Sequence, residues 1–296
     1  MSNKISPSPS GTLRAILERG EFVVAPGVFE MLGAKIADRM DFPALYMTGY
    51  GVSTSHLGQP DAGIAGFTDM QGRARTIAHG VSKPLIADAD TGFGGLINIR
   101  HTVRGYEEAG VQAIQLEDQE SPKKCGHTPN RRVVALPDAV RRIEVAVDSR
   151  RSRDFLIVAR TDARTGLGLD EAIKRGKAFA KAGADIIFVE SPESEDEFQR
   201  IGQELAGCGA WLIANMVPTG RSPEISAARL KELGFALAIW PGVLMQSACA
   251  AMENALAYLA ANGTTAGSPV PSYDMKKLHE LVGFEDVWAF EKRWAQ

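Results

Sequence analysis

Three cysteines in 296 residues, Cys125, Cys208 and Cys249, are too sparse and odd a set to staple a chain of this size. That excludes a disulfide framework and fits a reducing, cytoplasmic setting. An excess of basic charge is missing too: 33 Lys and Arg stand against 36 Asp and Glu, a net charge of −3. Nucleic acids and anionic membrane surfaces call for a basic face, so neither is an expected partner. Residues 1–20 hold no apolar stretch of the kind that marks a secretory signal. The most apolar late segment, 236–261, is broken by Pro241, Gly242, Gln246 and Glu253, so no membrane span is expected.

The chain does have an ordinary globular composition, 45% hydrophobic and 23% charged. Short apolar runs rich in β-branched residues recur, and strands are expected at 22–25, 44–48, 85–88, 113–117, 156–160, 186–190, 212–215 and 236–240. Ala-rich segments with helical spacing lie between them; in 171–182, Ala172, Ile173, Gly176, Phe179 and Ala180 fall on one stripe. Gly110, Gly183 and Gly234 mark helix ends, where a left-handed residue leads into the next strand. Eight such alternations predict an α/β fold, a parallel (β/α)8 TIM barrel. No G-x-G-x-x-G opens a helix after an early strand, which argues against a dinucleotide fold. The expected organisation is an arm over 1–12, a barrel over 13–262 and an aromatic helical tail over 263–296 at a subunit interface.

In such a barrel the chemistry sits at the carboxyl ends of the strands, and here those ends are acidic. Asp61 lies in a Gly/Pro loop, Asp88 and Asp90 end one strand, and Glu117 ends the next. A single acid there would usually cap a helix or pair with an arginine. Four converging carboxylates need protonation or a cation, and all-oxygen ligands select a hard ion such as Mg²⁺. A second group is Lys123-Lys124-Cys125-Gly126-His127, in a long loop without apolar periodicity. Cationic neighbours lower a thiol pKa, which would let Cys125 exchange a proton near neutrality, and Gly126 allows close approach to a ligand. Cys208 and Cys249 lie in Ala/Gly-rich helical contexts and read as packing residues. A third group closes other strands: Tyr46, Thr48, Gly49, Tyr50, Arg160, Glu190 and Asn215. Arg160 at a strand end requires a carboxylate, either Glu190 or one on a ligand. Together these groups suit a small, anionic, oxygen-rich substrate.

The segments TGYG at 48–51, LGQPD at 57–61, DADTGFGG at 88–95, QLED at 115–118, KKCGH at 123–127, ARTDA at 159–163 and FVESP at 188–192 resemble the isocitrate lyase/phosphoenolpyruvate mutase superfamily. The resemblance runs from about Leu13 to Ala261. It implies a barrel whose eighth helix is exchanged between subunits, a homotetramer, and bound Mg²⁺ for which Mn²⁺ can substitute. The family's mutases lack the Cys-Gly-His loop and its carbon–carbon lyases carry it, so the chain resembles the lyases. Methylisocitrate lyases place an arginine for a third carboxylate where this chain has Gln246, although Arg221, in the segment 215–223 that is similar to a family loop, could restore a charge. A 2,3-dimethylmalate-like 2-hydroxy dicarboxylate therefore ranks first as substrate. Methylisocitrate cleavage and oxaloacetate hydrolysis or decarboxylation are the alternatives.

By the same resemblance Asp61, Asp88, Asp90 and Glu117 hold the metal. Arg160 binds the 2-hydroxy acid, and Thr48, Gly49 and Tyr50 take its carboxylate on backbone N–H groups. Cys125 is the proton donor, and Tyr46 or a metal-bound water is the base. Lys123, Gly126, His127, Glu190 and Asn215 bind the departing carboxylate and the closed loop.

Overall fold

Parallel strands need crossovers, and the computed structural model, which describes residues 11–126, 128 and 130–295, supplies a helical one after each of the first seven strands. Strands β1 Val23–Val28, β2 Leu45–Met47, β3 Leu85–Asp88, β4 Ala113–Glu117, β5 Leu156–Thr161, β6 Ile186–Val189, β7 Trp211–Asn215 and β8 Leu237–Trp240 close in chain order into a parallel barrel, β1 pairing with β8. All eight expected strands are present. The first runs on through Pro26 and Gly27, because Val23 to Pro26 register with β8 while Gly27 and Val28 register with β2. Gly27 is needed there: a Cβ on it would run into the backbone of Pro241.

Inward-facing side chains fill the barrel, among them Val23, Ala25, Ile86, Val158, Phe188 and Ile239. Leu13, Ile16 and Leu17 of the helix Leu13–Glu18 join the same core. Thr12 caps that helix, its hydroxyl accepting from Ala15 N–H. Buried Arg14 ties it to Asp185 at the start of β6, and Leu13 N–H donates to Gln112 Oε1 at 2.7 Å, ahead of β4. The expected stripe between β5 and β6 forms the helix Leu169–Lys181, with Ala172, Ile173, Gly176 and Phe179 buried. Gly110, Gly183 and Gly234 have φ of +86°, +95° and +92°, the left-handed residues their positions call for.

Two compact units divide the chain after Val243, so that all but the first residue of the helix Val243–Asn262 groups with the segment that follows rather than with the barrel. This later unit also contains the helices Met275–Val282 and Phe284–Trp294. Met252, Leu256, Trp288, Phe290 and Trp294 are exposed on it. Cys249 is exposed in its long helix, and Cys208 lies in a turn after the helix Glu195–Glu204. Cys208 is half-buried outside any helix, and the exposure of Cys249 differs from the packing role expected of it. No helix among the described residues is long and apolar enough to cross a membrane.

Candidate active site

Because every strand runs the same way, the residues that end them gather at one mouth. Asp88 ends β3, Glu117 ends β4, Asn215 ends β7, and Arg160 lies one residue from the end of β5, registered against Glu117. Glu190 follows β6 directly. Thr48 follows β2 and caps the short helix Gly49–Val52, with Gly51 N–H donating to its hydroxyl at 3.4 Å. A Cβ on Gly49 would stand 2.6 Å from Asp88 Oδ2, so this turn lies directly against the acidic strand end. Asp90 and Ser191, both at the mouth, have φ of 50° and 59°, a left-handed conformation that non-glycine residues adopt at some cost.

The acids do converge, and they share a counter-ion expected in another role. Lys123 Nζ is buried between Asp61 Oδ1 and Asp90 Oδ1, 2.7 Å from the latter. Asp88 Oδ1 accepts from Asp90 N–H at 3.1 Å. Burial pushes the Asp90 carboxyl up to about 7, with Lys123 opposing the rise and Asp88 and Asp61 adding to it. Burial likewise lifts Glu117 well above the usual carboxylate range despite Arg160. Lys123 would be lowered by burial, but Asp90, Glu117, Asp61 and Asp88 hold it well above the usual lysine value. Its ammonium is therefore engaged by the acids of the cluster.

No three His, Cys, Asp or Glu side chains among the described residues form a ready-made metal cage. The cluster nevertheless fits a hard cation. One ammonium does not balance Asp61, Asp88, Asp90 and Glu117. Among the described residues, Glu117 Oε1 and Gln115 Oε1 are buried acceptors without a hydrogen-bond partner. An ion that bonds one or two carboxylates and keeps its waters suits such a site.

Arg160 finds a partner that the sequence reading did not name. Its Nε and Nη2 each donate to Asp162 at 2.9 Å in a two-pronged pair, while Glu117 and Glu190 stand farther off at 3.5 and 3.7 Å. The guanidinium also lies over the Phe188 ring, 5.2 Å from its centre. Asp118, next to Glu117, is turned away from the cluster. It accepts from Thr161 Oγ1 at 2.7 Å, Asp162 N–H at 2.9 Å and Arg175 Nη1 at 2.9 Å.

The segment with Cys125 is pinned over this mouth. Cys125 N–H donates to the Asp61 carbonyl at 3.1 Å, and Gln119 holds the backbone of Lys124 from both sides at 2.8 and 3.0 Å. Ser191 Oγ donates to the Gly126 carbonyl at 3.1 Å. A Cβ on Gly126 would meet Arg160 Nη2 at 2.5 Å and Glu190 at 3.0 Å, so glycine is what lets the loop settle on those two side chains. Glu190 is buried and accepts from Asn215 Nδ2 at 3.2 Å. His127 lies outside the described residues.

Two candidates come out differently from their expected roles. Burial, reinforced by Asp88, raises the Tyr46 phenol well above its ordinary value, which keeps it protonated and poorly suited to be the base. Tyr50 is 42% exposed; its side chain is largely outside the mouth and only its backbone N–H is a candidate contact. Gln115, Gln119, Arg131, Asp162 and Ser191 also bond within or beside the candidate site, in roles the sequence reading did not give them. Asp162 was the most accessible of them, since an acid two residues after a strand-end arginine has the spacing to pair with it.

The family model for phosphoenolpyruvate phosphomutase matches residues 13–260. The 2,3-dimethylmalate lyase of Eubacterium barkeri is 46% identical over 283 residues, which cover 96% of this chain and 97% of that protein. The 2-methylisocitrate lyase of Aeropyrum pernix is 38% identical over 288 residues, covering 97% and 91%. A solved structure of oxaloacetate acetylhydrolase with the inhibitor 3,3-difluorooxalacetate superimposes with a TM-score of 0.90 at 36% identity, covering 95% of each chain.

Proposed function

The chain belongs to the phosphoenolpyruvate mutase/isocitrate lyase superfamily and is a carbon–carbon lyase of it, and from that footing we propose that it cleaves a 2,3-dimethylmalate-like 2-hydroxy dicarboxylate to a 2-oxo acid and a carboxylic acid. The observation that carries this reading is the seat of Cys125 and Gly126, with the loop backbone bonded to the Asp61 carbonyl and resting on Arg160 and Glu190. Gln246 in place of the third-carboxylate arginine favours a dicarboxylate over methylisocitrate.

In this reading Asp61, Asp88, Asp90 and Glu117 hold Mg²⁺, for which Mn²⁺ can substitute, Asp88 and Glu117 being the two that Lys123 does not bridge. When bound, the ion supplies Lewis acidity that eases ionisation of the 2-hydroxyl and offsets charge developing on oxygen. Arg160 and the N–H groups of Gly49 and Tyr50 beside Thr48 orient the 2-hydroxy acid. The hydroxyl proton leaves to a water among the carboxylates, the electron pair forms the new C=O, and the C2–C3 bond breaks. Its electrons pass into the departing carboxylate as an enolate, held by Glu190, Asn215 and His127. Cys125 then gives its proton to C3. Pyruvate is the 2-oxo acid when C2 carries a methyl group.

Purified protein offered 2,3-dimethylmalate, 2-methylisocitrate and oxaloacetate in turn, with pyruvate, acetate and CO₂ detected separately, should turn over the first fastest. Preference for the tricarboxylate would reject the substrate assignment. EDTA should abolish turnover, and Mg²⁺ or Mn²⁺ should restore it. In the chelated protein the contribution of Asp90 to stability should fall as pH rises between 3.8 and about 7. Over that window the folded state holds a proton at Asp90 that the unfolded chain has released, so each step upward in pH favours unfolding. Urea melts of wild type and Asp90→Asn at fixed pH with EDTA read this directly, and a stability difference between the two that stays constant through the window would contradict it.

A homotetramer with the eighth helix exchanged between subunits belongs to the same proposal, because the apolar side chains exposed on the later unit call for cover. Sedimentation velocity should show a tetramer, and an active monomer would remove this part of the proposal. A soluble enzyme of the cytoplasm, working on small carboxylates, completes the reading.

A further inference from the structure

Arg131 lies beyond the cysteine on the chain returning to the barrel, and its side chain and that of Asp162 are both fully buried. Arg131 Nη1 donates to Asp162 Oδ1 and its Nη2 to Thr165 Oγ1. The same Asp162 Oδ1 accepts from Arg160 Nη2 at 2.9 Å, while Oδ2 accepts from Arg160 Nε at 2.9 Å. One carboxylate is therefore divided between two guanidiniums. Its main chain is anchored beside them, Asp118 Oδ1 accepting from the Asp162 N–H at 2.9 Å and Asp118 being itself fixed by Arg175.

We propose that Arg131 is a positioning residue for Arg160, acting through the shared Asp162 carboxylate. The proposal rests on the reading above, in which Arg160 binds the 2-hydroxy acid. An arginine can serve a ligand only to the extent that its protein partner does not claim it. Arg131 draws part of the negative charge of Asp162 to itself and so leaves Arg160 oriented but still able to share its N–H groups with a substrate oxygen. Without Arg131, both Asp162 oxygens and the full charge would fall to Arg160, which would then be held more tightly by the protein and less available to the substrate.

The test compares Arg131→Met, Arg131→Lys and the milder Thr165→Val with the wild-type holoenzyme. Arg131→Met should raise KM and weaken pyruvate affinity by about tenfold, within the range for directly coupled neighbours, with kcat changed much less. Arg131→Lys should recover most of the loss, and Thr165→Val should move KM the same way by less. Unchanged KM and pyruvate affinity in Arg131→Met would overturn the proposal, as would losses that merely track the fraction folded. If Arg131→Met does not fold, unchanged KM in both other variants overturns it. The ligand-free arginine Nε–H resonance of Arg160, assigned with Arg160→Lys, should shift and exchange more slowly in Arg131→Met, or in Thr165→Val where the former is unfolded. No change in that signal rejects the coupling even if the wild type cleaves none of the offered acids, an outcome that by itself would reject only the substrate reading.

Discussion

Replacing Cys125 by serine is expected to lower turnover by roughly 10²–10⁴, the range that general acid–base catalysis supplies, while pyruvate affinity and fold change little. The structure makes this a clean substitution. The loop is fixed at this residue through its backbone: Cys125 N–H on the Asp61 carbonyl at 3.1 Å, and the Cys125 carbonyl accepting from Thr128 Oγ1 at 2.7 Å. Serine keeps both contacts and nearly the same volume. What it loses is a group acidic enough to give up a proton near neutral pH. Turnover close to wild type would mean that another group protonates the enolate. A large loss of pyruvate affinity would mean that Cys125 shapes the site rather than supplying the proton.

Lys123→Met is expected to cost about 3–5 kcal/mol of folding stability in EDTA, the usual penalty for removing one partner of a buried ion pair. Lys123 and its two carboxylates are nearly inaccessible, with side-chain exposures of 4% for Lys123 and 7% for both Asp61 and Asp90. Methionine fills the space and leaves two acids facing each other with no cation. Mg²⁺ should restore part of the loss, because a divalent ion in the cluster answers the same excess of negative charge. Urea titration with and without Mg²⁺ measures both effects. A loss under about 1 kcal/mol, the scale of an ordinary surface change, would show that Lys123 does not hold the cluster together.

The barrel was legible because its signals are periodic and local: apolar runs of strand length, helical stripes between them, and glycines such as Gly110 and Gly183 at helix ends. The acids at strand ends were legible for a related reason, since parallel topology alone sends Asp88 and Glu117 to the same mouth. Partner choice was not legible. Lys123 and Cys125 are near neighbours in the chain and looked like one activated group. The fold turns the lysine 62 residues back to Asp61. Arg131 and Asp162 are 31 residues apart, and only the path of the loop brings them together. Tyr46 looked like a base because it lies close to a strand end, and its depth in the core is what raises its phenol well above the ordinary value.

Carbon–carbon cleavage with protonation at carbon is tested most directly by running the reaction with 2,3-dimethylmalate and Mg²⁺ in D₂O and following the products by NMR. The expected result is pyruvate and propionate in equal amounts, with a single deuterium at C2 of the propionate. Release of CO₂, or turnover confined to oxaloacetate with acetate and oxalate as products, would contradict it.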